Sequence, residues 1–223
     1  MKQKKEQSKI KNYWKKFWFL LWKDDSPKGW IFSIIFLFIF IKFIFFPGLS
    51  LVTGTSLPLA IVESCSMYHE GNLLSNYDDW WETHKTKYSE IEQNEFKNFK
   101  FKNGFNKGDI LFIIGTKPEK LKIGDTIIFS SGTKQTPIIH RIIKIKKTNQ
   151  EYIFSTIGDN NQRSFSIDMS TYENPSRIDE INIKENQIIG KAVFKLAPYA
   201  GWGKLIFFEF KQPESNKGFC EGN

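Results

Sequence analysis

Hydrophobic residues concentrate in one long run near the start of the chain. From Trp30 to Phe46 only one serine and one lysine interrupt aromatic and aliphatic side chains, and Pro47 ends the run. At ~1.5 Å per residue these seventeen residues cover roughly 25 Å as a helix, somewhat short of a hydrocarbon core of ~30 Å. We interpret the run as a membrane-spanning helix, with a buried or interfacial helix as the alternative.

Beyond this run the pattern changes to short stretches of β-branched and aromatic residues, separated by Gly, Asn and Asp. Such a pattern predicts a mainly β, antiparallel domain and not a βαβ nucleotide-binding fold. Strands are expected at 59–64, 109–114, 126–130, 137–145, 151–157 and 188–196. The second and third follow Gly-Asp pairs, which indicates tight entry turns. In the last, lysines alternate with Gly190, Ala192, Phe194 and Leu196, as in a half-buried strand.

Residues 72–107 have a helical pattern and many aromatic side chains. Five residues fall on one helical face: Tyr77, Trp80, Trp81, His84 and Tyr88. One interpretation is a helical cap that packs its aromatic residues on the β-core. The alternative is an insertion that faces the membrane or a substrate, since Trp and Tyr favour the lipid interface.

Charge is concentrated at the N-terminal end. The formal net charge is +8, and residues 1–28 hold nine lysines against three acidic residues. The positive-inside rule then predicts a cytoplasmic N-terminus and an extracytoplasmic segment from residue 47 onward. A nucleic-acid-binding fold is excluded because its charge would line the folded surface. Tryptophans at 14, 18 and 22, close to lysines, are typical of an interfacial helix.

These observations divide the chain into four segments. Residues 1–29 form a basic cytoplasmic or interfacial segment, 30–46 an uncleaved single-pass anchor, 47–212 an extracytoplasmic β-domain and 213–223 a C-terminal tail. The basic segment is too long for the start of a cleaved signal peptide.

Three short segments contain candidate catalytic residues. Ser66 follows the first predicted strand, His140 lies within the fourth, and Asp159 ends the fifth. A hydroxyl, an imidazole and a carboxylate are the groups of a Ser-His-Asp relay. Each also has an ordinary structural interpretation, as a turn serine, a core histidine or an Asx-turn.

The cysteines and histidines indicate neither a disulfide framework nor a metal site. Two cysteines, Cys65 and Cys220, are too few for a disulfide framework, although the sequence is compatible with one disulfide between them. The three histidines are scattered, without metal-ligand spacing, so we predict no metal and no cofactor.

In combination, the anchor and the motifs after it resemble type I signal peptidase, from about residue 30 to 210. The motifs are a Ser-x-Ser-Met box at 64–67, the Gly-Asp pairs, Pro-Ile-Ile-His-Arg at 137–141, Gly-Asp-Asn-Asn at 158–161, and Ile-Ile-Gly-Lys-Ala-Val-Phe at 188–194 with Pro-Tyr and Gly-Trp after it. His140 is similar to the base of the archaeal and endoplasmic-reticulum branch, whereas the bacterial branch carries lysine.

This resemblance implies a signal-peptidase-like catalytic β-domain that removes signal peptides from exported preproteins. Ser66 would be the nucleophile and His140 the general base, while the Ser64 hydroxyl and the Ser66 amide would form the oxyanion hole. The family's orienting carboxylate implies Asp159 together with Asp168. Asp168 would be the histidine partner if the loop carries a three-residue insertion, and the alternatives are Asp159 alone or a Ser-His dyad. The implied partners are preproteins, the lipid bilayer and the protein translocation channel. The bilayer would be the cell membrane, or that of the endoplasmic reticulum in a eukaryote.

The sequence departs from the family pattern beside the nucleophile. Cys65 stands where the family has glycine, and Tyr68-His69 stand where it has Glu-Pro. A Cys65 nucleophile activated by His69 or His140 is therefore one alternative, because a thiolate is more reactive than a neutral hydroxyl. A sortase-like transpeptidase is another, but those enzymes place His before Cys. A non-catalytic membrane-anchored β-domain that binds exported chains or partner proteins is the alternative from a different class.

Overall fold

The computed structural model describes residues 2–71, 77–88, 90–132, 136–148, 151–164, 178–211 and 217–220. The chain divides into two compact units, residues 1–52 and 53–223.

The first unit is helical. Helix α1 (Lys2–Trp22) is followed by α2 (Pro27–Phe40), one π-helical turn (Ile41–Phe45) and α3 (Phe46–Thr53). Ser26 caps α2, since its hydroxyl accepts the Gly29 amide N–H at 3.2 Å. The α1 and α2 helices form an antiparallel hairpin, in which the Ser33 hydroxyl donates to the Leu21 carbonyl at 3.0 Å.

The apolar helix is longer than the sequence predicts. Helical residues run from Pro27 to Thr53, and this helix is long and apolar enough to cross a membrane. The helix continues past Pro47, and Leu49, Leu51 and Val52 extend its apolar length. Proline clashes with the carbonyl four residues earlier, but the preceding π-turn widens the backbone, and the Phe46 N–H bonds the Ile41 carbonyl.

The second unit contains a seven-stranded sheet among the residues that the structure describes. Its strands are β1 (Leu59–Ile61), β2 (Ile110–Ile114), β3 (Thr126–Phe129), β4 (Ile138–Lys147), β5 (Tyr152–Ile157), β6 (Ile183–Lys184) and β7 (Ile188–Ala197). Their order is β1-β2-β7-β3-β4-β5-β6, and every neighbouring pair is antiparallel. The predicted mainly β, antiparallel fold class is confirmed, and only the two-residue β6 is additional.

The two Gly-Asp pairs make equivalent turns before β2 and β3. Gly108 and Gly124 have φ values of 89° and 88°, a region that favours glycine. The carboxylates of Asp109 and Asp125 each accept the amide N–H three residues earlier, at 2.8 and 2.9 Å. Each carboxylate also pairs with a lysine of β7 at 2.6 Å, respectively Lys195 and Lys191. The two Gly-Asp pairs therefore connect the starts of β2 and β3 to β7.

The aromatic segment forms a helical cap on the sheet. It contains α4 (Tyr77–His84), a 3₁₀ turn (Lys85–Tyr88) and α5 (Gln93–Phe96). Trp80 and Trp81 are each only 4% exposed, within a cluster that includes Ile157 of β5. Because these rings are buried, the segment matches the cap interpretation and does not offer them to lipid.

The remaining elements are short. They are 3₁₀ turns at Pro118–Lys120, Glu185–Gln187 and Glu209–Lys211, and a one-turn helix α6 (Trp202–Leu205).

Candidate active site

Ser66 lies in a turn five residues after the end of β1, which is at one edge of the sheet. The Tyr68 N–H closes this turn on the Cys65 carbonyl at 3.0 Å. Met67 is buried in the core beside β1, and its carbonyl accepts the Phe105 N–H at 2.7 Å. Ser66, next to the buried Met67, is half-buried.

The Ser66 hydroxyl meets the imidazole of His140. Ser66 Oγ lies 3.0 Å from His140 Nε2, and His140 Nδ1 is hydrogen-bonded to a carboxylate oxygen of Glu180. With the proton on Nδ1, that nitrogen donates to the Glu180 carboxylate and Nε2 is free to accept the Ser66 proton. A hydroxyl, an imidazole and a carboxylate therefore form one continuous relay.

Successive residues of β4 serve two different networks. Side chains alternate between the faces of a strand, so His140 and its neighbour Arg141 point in opposite directions. His140 faces Ser66, whereas Arg141 is fully buried and pairs with Asp159. This alternation explains why histidine and arginine are adjacent in the sequence.

Asp159 does not contact His140 through any hydrogen bond that the structure describes. Its carboxylate accepts from three buried side chains: Arg141 Nη2 at 2.6 Å, the Tyr88 hydroxyl at 2.8 Å and His69 Nε2 at 2.9 Å. Burial opposes ionisation of Asp159, but Arg141 and His69 outweigh it and hold its pKa well below the usual range. Asp159 is therefore a buried anion that organises the loop at 158–161.

Glu180 takes the place at the histidine that the resemblance assigned to an aspartate. Sequence reasoning missed it, and Asp168 lies outside the described residues. Glu180 is fully buried, and its carbonyl accepts the Thr156 N–H of β5 at 2.7 Å. No clear local signal marked Glu180, because Asp179 and Asn182 beside it make this stretch of the sequence polar.

The loop at 158–161 approaches Ser66 and His140 closely. A Cβ added at Gly158 would lie 2.7 Å from the Ser66 carbonyl oxygen and 2.8 Å from His140 Nε2. Only glycine fits between these two groups without displacing one of them.

Ser64 stands beside the nucleophile. Its Oγ lies 3.1 Å from Ser66 Oγ, and its side chain is exposed. The structure thus brings together Ser64, Ser66 and His140 among the predicted site residues, and it adds Glu180.

Cys65 forms a disulfide with Cys220, with 5.4 Å between the two Cα atoms. A sulfur in a disulfide has no thiolate, so the Cys65 nucleophile alternative does not fit the structure. The bond also ties the chain at residue 220 to the residue that precedes Ser66.

A hydroxyl, an imidazole and a carboxylate in this order are the groups that form the relay of serine hydrolases. No protein-family model matches the chain. Its sequence relatives include the human signal peptidase complex catalytic subunit SEC11C, 28% identical over 107 residues, which are 48% of this chain and 52% of the relative. The SEC11 catalytic subunit of Candida tropicalis is 30% identical over 105 residues, covering 47% and 58%. That of Ogataea parapolymorpha is 29% identical over 115 residues, covering 47% and 61%.

Homologues of this chain are therefore SEC11 signal peptidase catalytic subunits, and the predicted resemblance to type I signal peptidase is confirmed. The chain spans about half the length of the curated relatives that it matches.

Proposed function

We propose that this chain is a membrane-bound serine endopeptidase that removes N-terminal signal peptides from exported preproteins. The observation that carries the proposal is the 3.0 Å contact between Ser66 Oγ and His140 Nε2, with Glu180 on the other imidazole nitrogen. The SEC11 homologues support the choice of substrate class.

The proposed reaction begins with attack of Ser66 Oγ on the scissile carbonyl carbon while His140 Nε2 takes the hydroxyl proton. The tetrahedral intermediate collapses when His140 returns this proton to the leaving amine, which frees the mature chain and leaves the signal peptide as an ester on Ser66. Water, deprotonated by His140, then hydrolyses this ester. The Glu180 carboxylate stabilises the imidazolium that forms in each half-reaction.

The oxyanion would bind between the Ser64 hydroxyl and the Ser66 backbone amide. Ser64 Oγ is already 3.1 Å from the nucleophile, so its hydroxyl needs only to rotate towards the developing charge. Preorganised donors of this kind stabilise the transition state more than the substrate.

A preprotein segment would bind in extended form along the edge of β1 opposite β2, where none of the described strands pairs. This strand is at one end of the sheet and ends five residues before Ser66. Adding a strand at this edge places the scissile bond near the nucleophile, and small side chains before the cut enter shallow pockets.

The candidate membrane helix and the disulfide support an extracytoplasmic catalytic domain. Disulfides persist in oxidising compartments and are rare in the cytosol. The N-terminal lysines would then remain on the cytoplasmic side, and the preprotein would arrive from a translocation channel. Because its relatives are named as subunits of a complex, we also expect associated proteins.

The test is cleavage of a preprotein with an Ala-x-Ala site by the full chain, purified in detergent with the proteins that accompany it. Ser66→Ala and His140→Ala should abolish cleavage. Ser56→Ala, an exposed serine before β1, is the matched control and should cleave normally. Wild-type turnover by Ser66→Ala would refute the proposal, and a wild-type protein that binds but never cuts would favour the non-catalytic alternative.

A further inference from the structure

Lys87 reaches from the helical cap to the loop beside the nucleophile. It lies in the 3₁₀ turn after α4, more than seventy residues before the loop in sequence. Its ammonium nitrogen donates to the Asn161 carbonyl at 2.8 Å and also to the Asp159 carbonyl. No step of the proposed reaction uses Lys87.

The surroundings hold the Lys87 ammonium at this position. It lies 5.7 Å from the ring centre of Trp80 and 5.5 Å from that of Tyr88, within range of cation-π attraction. Burial lowers the pKa of Lys87 to about 8, against the opposing attraction of Asp159. An ammonium group is retained in such a place only where specific acceptors compensate its lost hydration.

One peptide unit connects Lys87 to Ser66. The carbonyl of the Asp159–Asn160 peptide accepts from Lys87, and the N–H of the same peptide donates to the Ser66 carbonyl at 2.8 Å. Consecutive hydrogen bonds through a peptide polarise and strengthen one another. A cation at the carbonyl end therefore strengthens the bond that the amide end makes to the nucleophile residue.

The same loop is fixed from its side-chain end. The Asp159 carboxylate accepts from Tyr88, the residue next to Lys87, and from Arg141. Thus the cap holds Asp159 at both the carboxylate and the backbone carbonyl, while the loop contacts Ser66.

We propose that Lys87 is a positioning residue that holds Ser66 in register with His140 through the Asp159–Asn160 peptide. This role rests on the proposed function, since positioning matters only if Ser66 reacts. The helical cap would then position Ser66 in addition to covering the sheet.

The test compares Lys87→Met, which keeps most of the side-chain length and removes the donor, with Lys85→Met. Lys85 is in the same 3₁₀ turn but pairs with the exposed Glu82, so it is the matched control. Lys87→Arg restores the charge and the donors. Cleavage kinetics give kcat and KM separately, and hydrogen exchange of the 158–161 segment reports the Asn160 amide.

We expect Lys87→Met to lower kcat by about ten- to a hundredfold, the range for a small misplacement of a reacting group. KM should stay within about twofold, because the variant leaves the β1 edge intact. Exchange in 158–161 should accelerate while exchange in β3 is unchanged. Lys87→Arg should recover most of kcat, and Lys85→Met should match wild type.

Wild-type kcat in Lys87→Met, or a lower kcat with unchanged exchange in 158–161, would overturn the proposal. If Lys87→Met does not fold, Lys87→Gln, which removes the charge and shortens the side chain, decides by the same two measurements. Failure of the proposed function looks different: the wild-type protein would not cleave, yet the exchange comparison would still show whether Lys87 holds the loop.

Discussion

At the scale of single residues, Ser66 and His140 meet because each is fixed by a neighbour. Burial of Met67 sets the turn that presents Ser66, and burial of Arg141 sets the face on which His140 lies. Arg141 also explains why Asp159 is not the histidine partner. Its guanidinium pairs with that carboxylate on the opposite side of the strand, which leaves the position at His140 Nδ1 to Glu180.

Glu180→Gln tests this assignment. The amide can present its N–H₂ to Nδ1 and favour the wrong imidazole tautomer, and it cannot stabilise an imidazolium. We expect kcat to fall by roughly a hundredfold or more with KM little changed, as for the acidic member of a triad. The measurement is preprotein cleavage, with Glu119→Gln at an exposed position as control. Normal kcat in Glu180→Gln together with a large loss in Asp168→Asn would return the role to Asp168.

At the scale of elements, alternation and turn residues predict most of the sheet. All six expected strands form, because short β-branched stretches between glycine turns favour strands. The β6 strand was missed because two residues carry no periodicity. The burial expected along β7 is only half right: Gly190 and Ala192 are buried, but Phe194 and Leu196 are 46% and 51% exposed. Periodicity shows which residues share a face and not how far the neighbouring layer extends.

The cap could be predicted as helical and aromatic, but its connection to the site could not. The contacts of Lys87 and Tyr88 with Asp159 join residues about seventy positions apart. Such contacts depend on the tertiary packing of the cap, which local patterns do not encode. Glu180 could not be predicted as the partner of His140 for the same reason, because the two residues are forty positions apart.

Trp81→Ala tests the structural role of the cap. Trp81 packs on Tyr88 and Phe96, with ring centres 5.8 and 5.1 Å away, and a large-to-small change there leaves a cavity. We expect a loss of about 3–5 kcal/mol in the free energy of unfolding, measured by chemical denaturation of the full chain in detergent. Binding to lipid vesicles should be unchanged. Trp22→Ala, at an exposed position of α1, should leave the unfolding free energy of the β-domain unaltered, and weaker vesicle binding by folded Trp81→Ala would contradict a purely internal cap.

At the scale of the whole molecule, charge, helix and disulfide agree on one arrangement. Lysines precede a helix long enough to cross a membrane, and the β-domain after it carries a disulfide. The proposed topology assigns the excess positive charge to orientation in the membrane and the proposed chemistry to a domain of almost balanced charge.

The disulfide gives this arrangement a direct test. Cys65 and Cys220 are the two cysteines of the chain, so protein taken from its native membrane and denatured with a thiol reagent should label only after reduction. Replacing both cysteines by serine should lower stability by about 2–4 kcal/mol, because the crosslink closes a long loop. Labelling before reduction would contradict an oxidising location for the domain.

The intact mass of the product shows whether Ser66 cuts preproteins. Wild-type protein and Ser66→Ala are incubated in parallel with an Ala-x-Ala preprotein, and the masses of the released chains are measured. The proposed mechanism predicts a mature chain that begins directly after the Ala-x-Ala site with wild type and no product with Ser66→Ala. The same product at the same rate from Ser66→Ala would contradict it.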